Sequence, residues 1–186
     1  MIERLDLIQS AVGILRDRHL LIVAAAGYGK SVLLAQLGPY LPDAAYLRLT
    51  IDDDDIAVLR QRVRAAEAEV LLLDDVHQLT AGSESATWLR RMLDSPEPRL
   101  VLAGRHLPFK ETLLSAQAKT EHWDETDLAF SSRTVALILQ EDEADEWRQR
   151  LGGWPLGIGF LRQLPPAQRR EARVQDELFD YLAQAV

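Results

Sequence analysis

The chain has 186 residues, 47% of them hydrophobic, no cysteine, and a formal net charge of −8. That length suffices for the core of one domain, or of one domain with a small companion, and the missing cysteines exclude a disulfide framework and a cysteine-ligated zinc site. The acidic balance repels duplex phosphates, so direct DNA binding by this segment is not expected. From the N-terminus, no basic stretch with an apolar segment and cleavage site marks a signal peptide. The apolar run Leu20–Ala26 is far short of the ~20 residues that cross a membrane, and a cytoplasmic location is the expectation. Leu20–Ala25 reads as a buried strand ending in a glycine-rich turn. Lys30–Leu37 has apolar residues at helical spacing and stops at Gly38-Pro39. Ala45–Thr50 reads as a second strand, and Ile56–Ala66 as a helix with Asp55 as its N-cap. Val70–Asp74 is a third buried strand, Ser83–Leu93 a helix, Leu100–Ala103 a fourth strand and Lys119–Asp124 a weaker fifth.

This alternation predicts an α/β fold, with a parallel sheet and helices on both of its faces. After about Asp127 the strand signals stop. Ser131–Gln140, Glu143–Leu151, Leu156–Leu164 and Ala167–Ala185 all read as helices. The expected organisation is a core over residues 1–126 and a small all-helical lid domain over 127–186.

The segment Ala24-Ala25-Ala26-Gly27-Tyr28-Gly29-Lys30-Ser31 follows a strand and opens a helix, the context a phosphate-binding loop requires. Gly27 and Gly29 allow the backbone to turn its N–H groups around phosphate oxygens, and the helix adds its positive dipole end. Lys30 would sit between β- and γ-phosphates, and the Ser31 hydroxyl would ligate Mg²⁺. The candidate nucleotide-binding residues are Ala26, Gly27, Tyr28, Gly29, Lys30, Ser31 and Val32. The strict motif has glycine where this chain has Ala24, so a plain strand–helix turn with a surface lysine is the bland alternative. Val70-Leu71-Leu72-Leu73-Asp74-Asp75 places two acids at the carboxyl end of a buried strand, where open α/β sheets bind ligands. Asp74 would hold Mg²⁺ through water, and Asp75 would orient or deprotonate an attacking water. Two solvated acids ending a strand are the alternative. The strand between the two motifs in sequence points to NTPases with an additional central strand. Arg105, after Leu100–Gly104, could report the γ-phosphate or pair with nearby carboxylates.

Together these motifs resemble the STAND class of signalling ATPases, especially the ATPase domain of large LuxR-type transcriptional activators similar to the maltose activator. The matching segments are Ala26–Ser31, Leu72–His77, the strand ending in Arg105, Asp127–Phe130, Gly153-Trp154-Pro155-Leu156-Gly157 and Phe179-Asp180-Tyr181-Leu182. The resemblance implies a nucleotide-gated switch, with ADP holding a closed resting form and ATP with an inducer permitting self-association. It implies that Pro155 faces adenine, and that a winged-helix domain begins near Phe179. Trp154-Pro155 also reads simply as a helix start with a core tryptophan. Lys30 and Asp74 lie closer in sequence than in typical relatives, and no sensor repeats or DNA-binding helix pair follow. The expectation is an excised ATPase module or a miniature relative; the amphipathic helix running to Val186 favours excision or a missing neighbouring domain.

Asp52–Asp55 reads as a solvated acidic loop favouring the next helix dipole. His19, His77, His106 and His122 lack metal-ligand spacing; His77, just beyond the acid pair, is the one of interest. Trp88, Trp123 and Trp147 read as packing residues. The expected function is an ATP/ADP-binding, slowly hydrolysing regulatory module of a signal-responsive transcriptional regulator. Its partners would be adenine nucleotide, Mg²⁺, and other copies or winged-helix and sensor domains. The rivals are a binding module with little hydrolysis, a small-molecule phosphotransferase and a DNA-dependent ATPase. Arg90, Arg91, Arg148 and Arg150 lie in no hinged loop of the sort a phosphotransferase lid wants, and the acidic balance disfavours the DNA-dependent enzyme.

Overall fold

The computed structural model of the chain describes residues 2–114, 119–140 and 144–171. They group into two compact units. One comprises the described residues up to Ala26 with Lys30–Asp124, and the other Gly27–Gly29 with the described residues from Glu125 onward.

The first unit is built on five parallel strands: β1 (His19–Val23), β2 (Ala44–Arg48), β3 (Val70–Asp74), β4 (Arg99–Gly104) and β5 (Thr120–Trp123). Their order is β2-β3-β4-β1-β5. The central strands are nearly continuous hydrophobic runs, as expected when both sheet faces are covered. On one face Leu21, Leu71, Leu73, Leu100 and Leu102 pack with Leu59 of α3 (Ile56–Ala65) and Leu89 of α4 (Glu84–Met92). The alternate residues Leu20, Ile22, Leu72 and Val101 are also fully buried or nearly so and point to the opposite face. There α1 (Leu5–Ile14) contacts β1, and α2 (Lys30–Leu37) contacts β3 and β4.

Helix α1 was not among the expected elements. Ile8, Ala11 and Leu15 are its buried contacts, spaced at i, i+3 and i+7 as an amphipathic helix requires. Strand β1 ends at Val23 rather than Ala25, although Ala24 N–H still donates to Gly104 O at 3.2 Å. Asp55 caps α3 as expected, accepting from Ala57 N–H at 2.8 Å. Ser83 caps α4 by accepting from Ala86 N–H.

The acidic run Asp52–Asp55 needs correction. Asp53 is fully buried, and its Oδ2 accepts from Thr50 N–H, Thr50 Oγ1 and Arg62. Its Oδ1 is the one buried side-chain oxygen without a hydrogen-bond partner among the described residues. A run of four acids hid one that faces inward, because the short 3-10 helix Ile51–Asp54 turns Asp53 under Thr50 as a capping box.

The second unit is helical: α5 (Glu125–Leu128), α6 (Ser132–Leu139), α7 (Ala144–Leu151), α8 (Pro155–Gln163) and α9 (Pro166–Glu171). Its core is Val135, Ile138, Leu139, Ala144, Trp147, Ile158 and Leu161. Arg169 is buried with its guanidinium directed at helix ends. Nε donates to Leu161 O and Leu164 O at 2.8 and 2.9 Å, and Nη1 to Leu139 O at 3.2 Å. Those carbonyls end α8 and α6, so the cation meets the negative ends of two helix dipoles. The expected helix Ala167–Ala185 lies outside the described residues beyond 171, as does the segment Phe179–Leu182.

Candidate nucleotide site

The glycine–lysine–serine loop leaves the end of β1 and enters α2. Gly27 and Gly29 both have left-handed backbone, at φ +83° and +82°. Alternating such residues with right-handed ones forms a concave nest of N–H groups suited to an anion. Lys30 is 8% exposed, and its ammonium donates to Ala24 O at 2.5 Å and Ala25 O at 2.9 Å. The chain thus folds its cation back over its own loop. Ser31 and Val32 are exposed in the first turn of α2, and Ala25 and Ala26 are exposed before it.

The acid pair ends β3. Asp74 is fully buried. Its Oδ2 accepts from the Tyr46 hydroxyl at 2.8 Å and its Oδ1 from Asp75 N–H at 2.9 Å. Asp75 has φ +56°, a left-handed conformation that aspartate tolerates better than most residues. Its Oδ2 accepts from Arg48 Nε at 2.7 Å. Tyr46 and Arg48 stand two apart on β2, whose register sets Arg48 opposite Asp74, so both project to one face. Neither was singled out from sequence. The alternation of β2 was visible there, but its register against β3 was not. Burial, followed by the Asp74 hydrogen bond, pushes the Tyr46 phenol up to about 12. Arg48 is raised chiefly by its hydrogen bond to Asp75.

His77 lies in the short 3-10 helix Val76–Gln78. Burial pushes its imidazole below the ordinary histidine range; Asp75 opposes this, while Arg105, His106 and Lys30 add to the depression. Its Nδ1 accepts from Arg105 N–H at 3.4 Å and lies 3.9 Å from Asp75 Oδ1. The His77 and His106 rings meet edge to face at 5.8 Å. The carboxyl ends of β3 and β4 thus gather Asp74, Asp75, His77 and Arg105, with the Lys30 charge near enough to bear on His77. The Arg105 side chain is exposed just beyond β4.

Ser31 and Asp74 offer hard oxygens of the kind Mg²⁺ takes alongside phosphate and water oxygens. Among the described residues no three His, Cys, Asp or Glu side chains gather as metal ligands. A divalent ion here would need phosphate and water to complete its shell. Two such oxygens are too few for a protein cage, and are of the type that a nucleotide-borne Mg²⁺ takes.

In the helical unit, Pro155 is the first residue of α8 and Trp154 its N-cap. Leu156 N–H donates to Gly27 O at 3.1 Å. Asp127–Phe130 and Gly153–Gly157, separate in sequence, meet through Phe130 N–H donating to Gly153 O at 2.8 Å. A β-carbon at Gly153 would lie 2.5 Å from Phe130 O. Trp147 and Trp123 are buried, as packing residues should be, and Trp88 packs against the core of the first unit.

No protein-family model and no curated protein matches the chain. Several solved structures are similar to it. A signal transduction ATPase with numerous domains (STAND) carrying a tetratricopeptide repeat sensor, from Pyrococcus horikoshii, aligns with a TM-score of 0.64 at 13% identity. That alignment covers 100% of this chain and 32% of the other. AMPPCP-bound DnaA from Aquifex aeolicus aligns with a TM-score of 0.52 at 15% identity, over 91% of this chain and 58% of that one. Domain III of the Thermotoga maritima replication initiation protein DnaA gives 0.51 at 16%, over 87% and 76%. The chain thus spans about a third of the STAND protein and somewhat over half of the Aquifex DnaA chain. Parallel strands in the order β2-β3-β4-β1-β5, with the glycine–lysine–serine loop leaving β1, make this a P-loop NTPase fold of the kind seen in STAND and DnaA ATPases.

Proposed function

We propose that the chain is an ATP- and ADP-binding regulatory module that hydrolyses ATP slowly. The observation carrying this reading is a buried Lys30 folded over its own loop in a chain whose strand β3 ends in two acids. Lys30 would exchange the Ala24 and Ala25 carbonyls for β- and γ-phosphate oxygens, a stronger charge-assisted contact. Ser31 and Asp74 would hold Mg²⁺, which supplies charge neutralisation at those oxygens when bound. Asp75 would orient a water or accept its proton, and Arg105 would meet the γ-phosphate. Ala26, Gly27, Tyr28, Gly29 and Val32 would line the nucleotide, with Pro155 against adenine.

A second reading is a nucleotide-binding interaction module with little hydrolysis. It is favoured by the Arg48–Asp75 ion pair, which engages the proposed base. Nothing specific favours a phosphotransferase. Arg90 is committed to Leu113 O at 2.7 Å, and the Arg150 guanidinium lies 4.6 Å from the Trp147 ring centroid. The solved STAND structure carries a repeat sensor, which supports placing this module beside a sensor domain; its place in a signal-responsive transcriptional regulator is part of the proposal. Self-association, a winged-helix neighbour and a cytoplasmic setting belong to the same proposal. No helix of the described residues is long and apolar enough to cross a membrane.

The test is to denature purified protein and identify any released nucleotide, then titrate ADP and ATP. Lys30→Ala should abolish tight binding. Asp75→Asn should keep ATP binding and slow hydrolysis more than ~10-fold; losing a general base typically costs about 10²–10⁴-fold. Unchanged affinity in the lysine variant would overturn the site. If Asp75→Asn and Asp74→Asn both hydrolyse like the parent, the paired acids are structural.

A further inference from the structure

We propose that Tyr46 is a positioning residue for Asp74, so that the outer strand β2 governs how the site takes up a divalent cation. The proposal rests on the nucleotide-binding reading above. The Asp74 carboxylate is fully out of solvent, so its negative charge depends on protein donors. Two such donors reach it from different strands. Asp75 N–H, from its own strand end, donates to Oδ1 at 2.9 Å. The Tyr46 phenol, from β2, donates to Oδ2 at 2.8 Å. Each carboxylate oxygen has two lone-pair positions, so each keeps acceptor capacity beyond the donor it already has.

The terminal torsion of aspartate is broad, and a carboxylate held by one donor can swing about it. Two donors, one on each oxygen, fix it. Tyr46 suits this task because a phenol on a rigid ring loses little freedom in making one directed bond. Tyr46 is 45% exposed while its hydroxyl is committed to Asp74. The register explains its reach. Arg48 stands opposite Asp74 and Tyr46 opposite Leu72, so the ring spans one two-residue step along the sheet to the acid.

Without the phenol, the buried carboxylate keeps the Asp75 N–H, and its orientation is no longer pinned. Cation uptake should weaken, while contacts of phosphates with the loop backbone and Lys30 stay as they were.

The experiment uses the full chain with Tyr46→Phe, which keeps the ring and removes the hydroxyl. ADP binding is titrated at rising Mg²⁺ and in chelator, with ligand-free thermal unfolding to confirm a folded variant. The half-saturating Mg²⁺ concentration should rise at least 5-fold, with ADP affinity in chelator within 2-fold of the parent. Asp74→Asn should lower Mg²⁺ dependence by itself, and adding Tyr46→Phe to it should change nothing further, because Tyr46 acts through that carboxylate. An unchanged or lowered half-saturation would overturn the proposal. So would equal weakening with and without Mg²⁺, or additive effects in the double variant. A parent chain that binds no ADP would instead overturn the nucleotide reading, and this proposal with it.

Discussion

Gly27 and Gly29 offer a controlled comparison inside one loop. Their φ values are nearly identical, +83° and +82°, but their surroundings differ. Alanine at either position pays for left-handed backbone, about 1–2 kcal/mol. At Gly29 that is the whole cost, because a β-carbon there meets nothing within 4 Å. At Gly27 the added carbon would lie 2.7 Å from Leu156 Cβ, 2.7 Å from Trp154 Nε1 and 2.9 Å from Leu156 Cδ2. Unstrained carbon contacts are about 3.5–4.0 Å. The indole could turn aside, but Leu156 Cβ is fixed to the first turn of α8, whose N–H binds the Gly27 carbonyl. Relief requires moving the helix start or breaking that bond, an overpacking cost of about 1–3 kcal/mol. Gly27→Ala should therefore be less stable than Gly29→Ala by about 1–3 kcal/mol. With a urea slope of about 1–3 kcal/mol per molar, the midpoints should separate by roughly 1 M. Urea unfolding without nucleotide, followed by tryptophan emission, measures this; Trp147 and Trp154 report on the helical unit. Equal midpoints would refute the claim that α8 packs on this glycine.

His19 is buried at the opposite end of β1 from the loop. Its Nδ1 accepts from Leu100 N–H and its Nε2 meets Ser95 O, both at 3.0 Å. Burial lowers its pKa, so the folded chain binds this proton less readily than the unfolded one. Its stabilisation is complete above the unfolded value of about 6.5 and is lost as pH falls from there through the depressed folded value. Urea stability measured at pH 7.5 and 5.5 should drop less in His19→Asn, and an identical drop would assign the acid sensitivity elsewhere. Arg62→Ala strips a donor from the fully buried Asp53. Because Arg62 is 35% exposed, the loss should fall below the 3–5 kcal/mol of a wholly buried pair, at about 2 kcal/mol; Asp53→Asn in the same chain should recover part of it in the same denaturation assay. Adding ADP with Mg²⁺ should change tryptophan emission, and Trp154→Phe should remove most of that change. Pro155→Ala should weaken ADP by about 1 kcal/mol and inorganic triphosphate less in competition titrations; equal weakening would mean that Pro155 acts through folding.

What sequence revealed follows from the range of the interactions involved. The buried strands are uninterrupted apolar runs, and helix α2 follows an unmistakable glycine–lysine–serine turn, so their positions were readable to within two residues. The same local chemistry exposed the Asp55 cap. Helix α1 also carries a local signal, Ile8, Ala11 and Leu15 at helical spacing, but no functional motif. The partners of the acid pair were of another kind. Tyr46 and Arg48 meet Asp74 and Asp75 because of strand register, which depends on the whole sheet. Asp53 was hidden for a related reason: one residue of a charged run faces inward only once Thr50 and Arg62 are in place. The strand between the two motifs in sequence, β2, lies at the sheet edge, whereas the strand between them in space is β4.

That interposed strand acts as a gauge block. Neighbouring strands lie about 4.8 Å apart, so β4 holds the exits of β1 and β3 roughly 10 Å from each other. Its own end must then be slender. A β-carbon at Gly104 would come within 2.9 Å of His106 O and of Val76 Cγ2, and 3.3 Å from His77 N. Any larger residue there would wedge the turn carrying Val76 and His77 outward, and the acid pair before it would lose its alignment. Variation along β4 is thus constrained in two ways: its middle by fit between two helical layers, and its last position by the clearance a neighbouring turn needs.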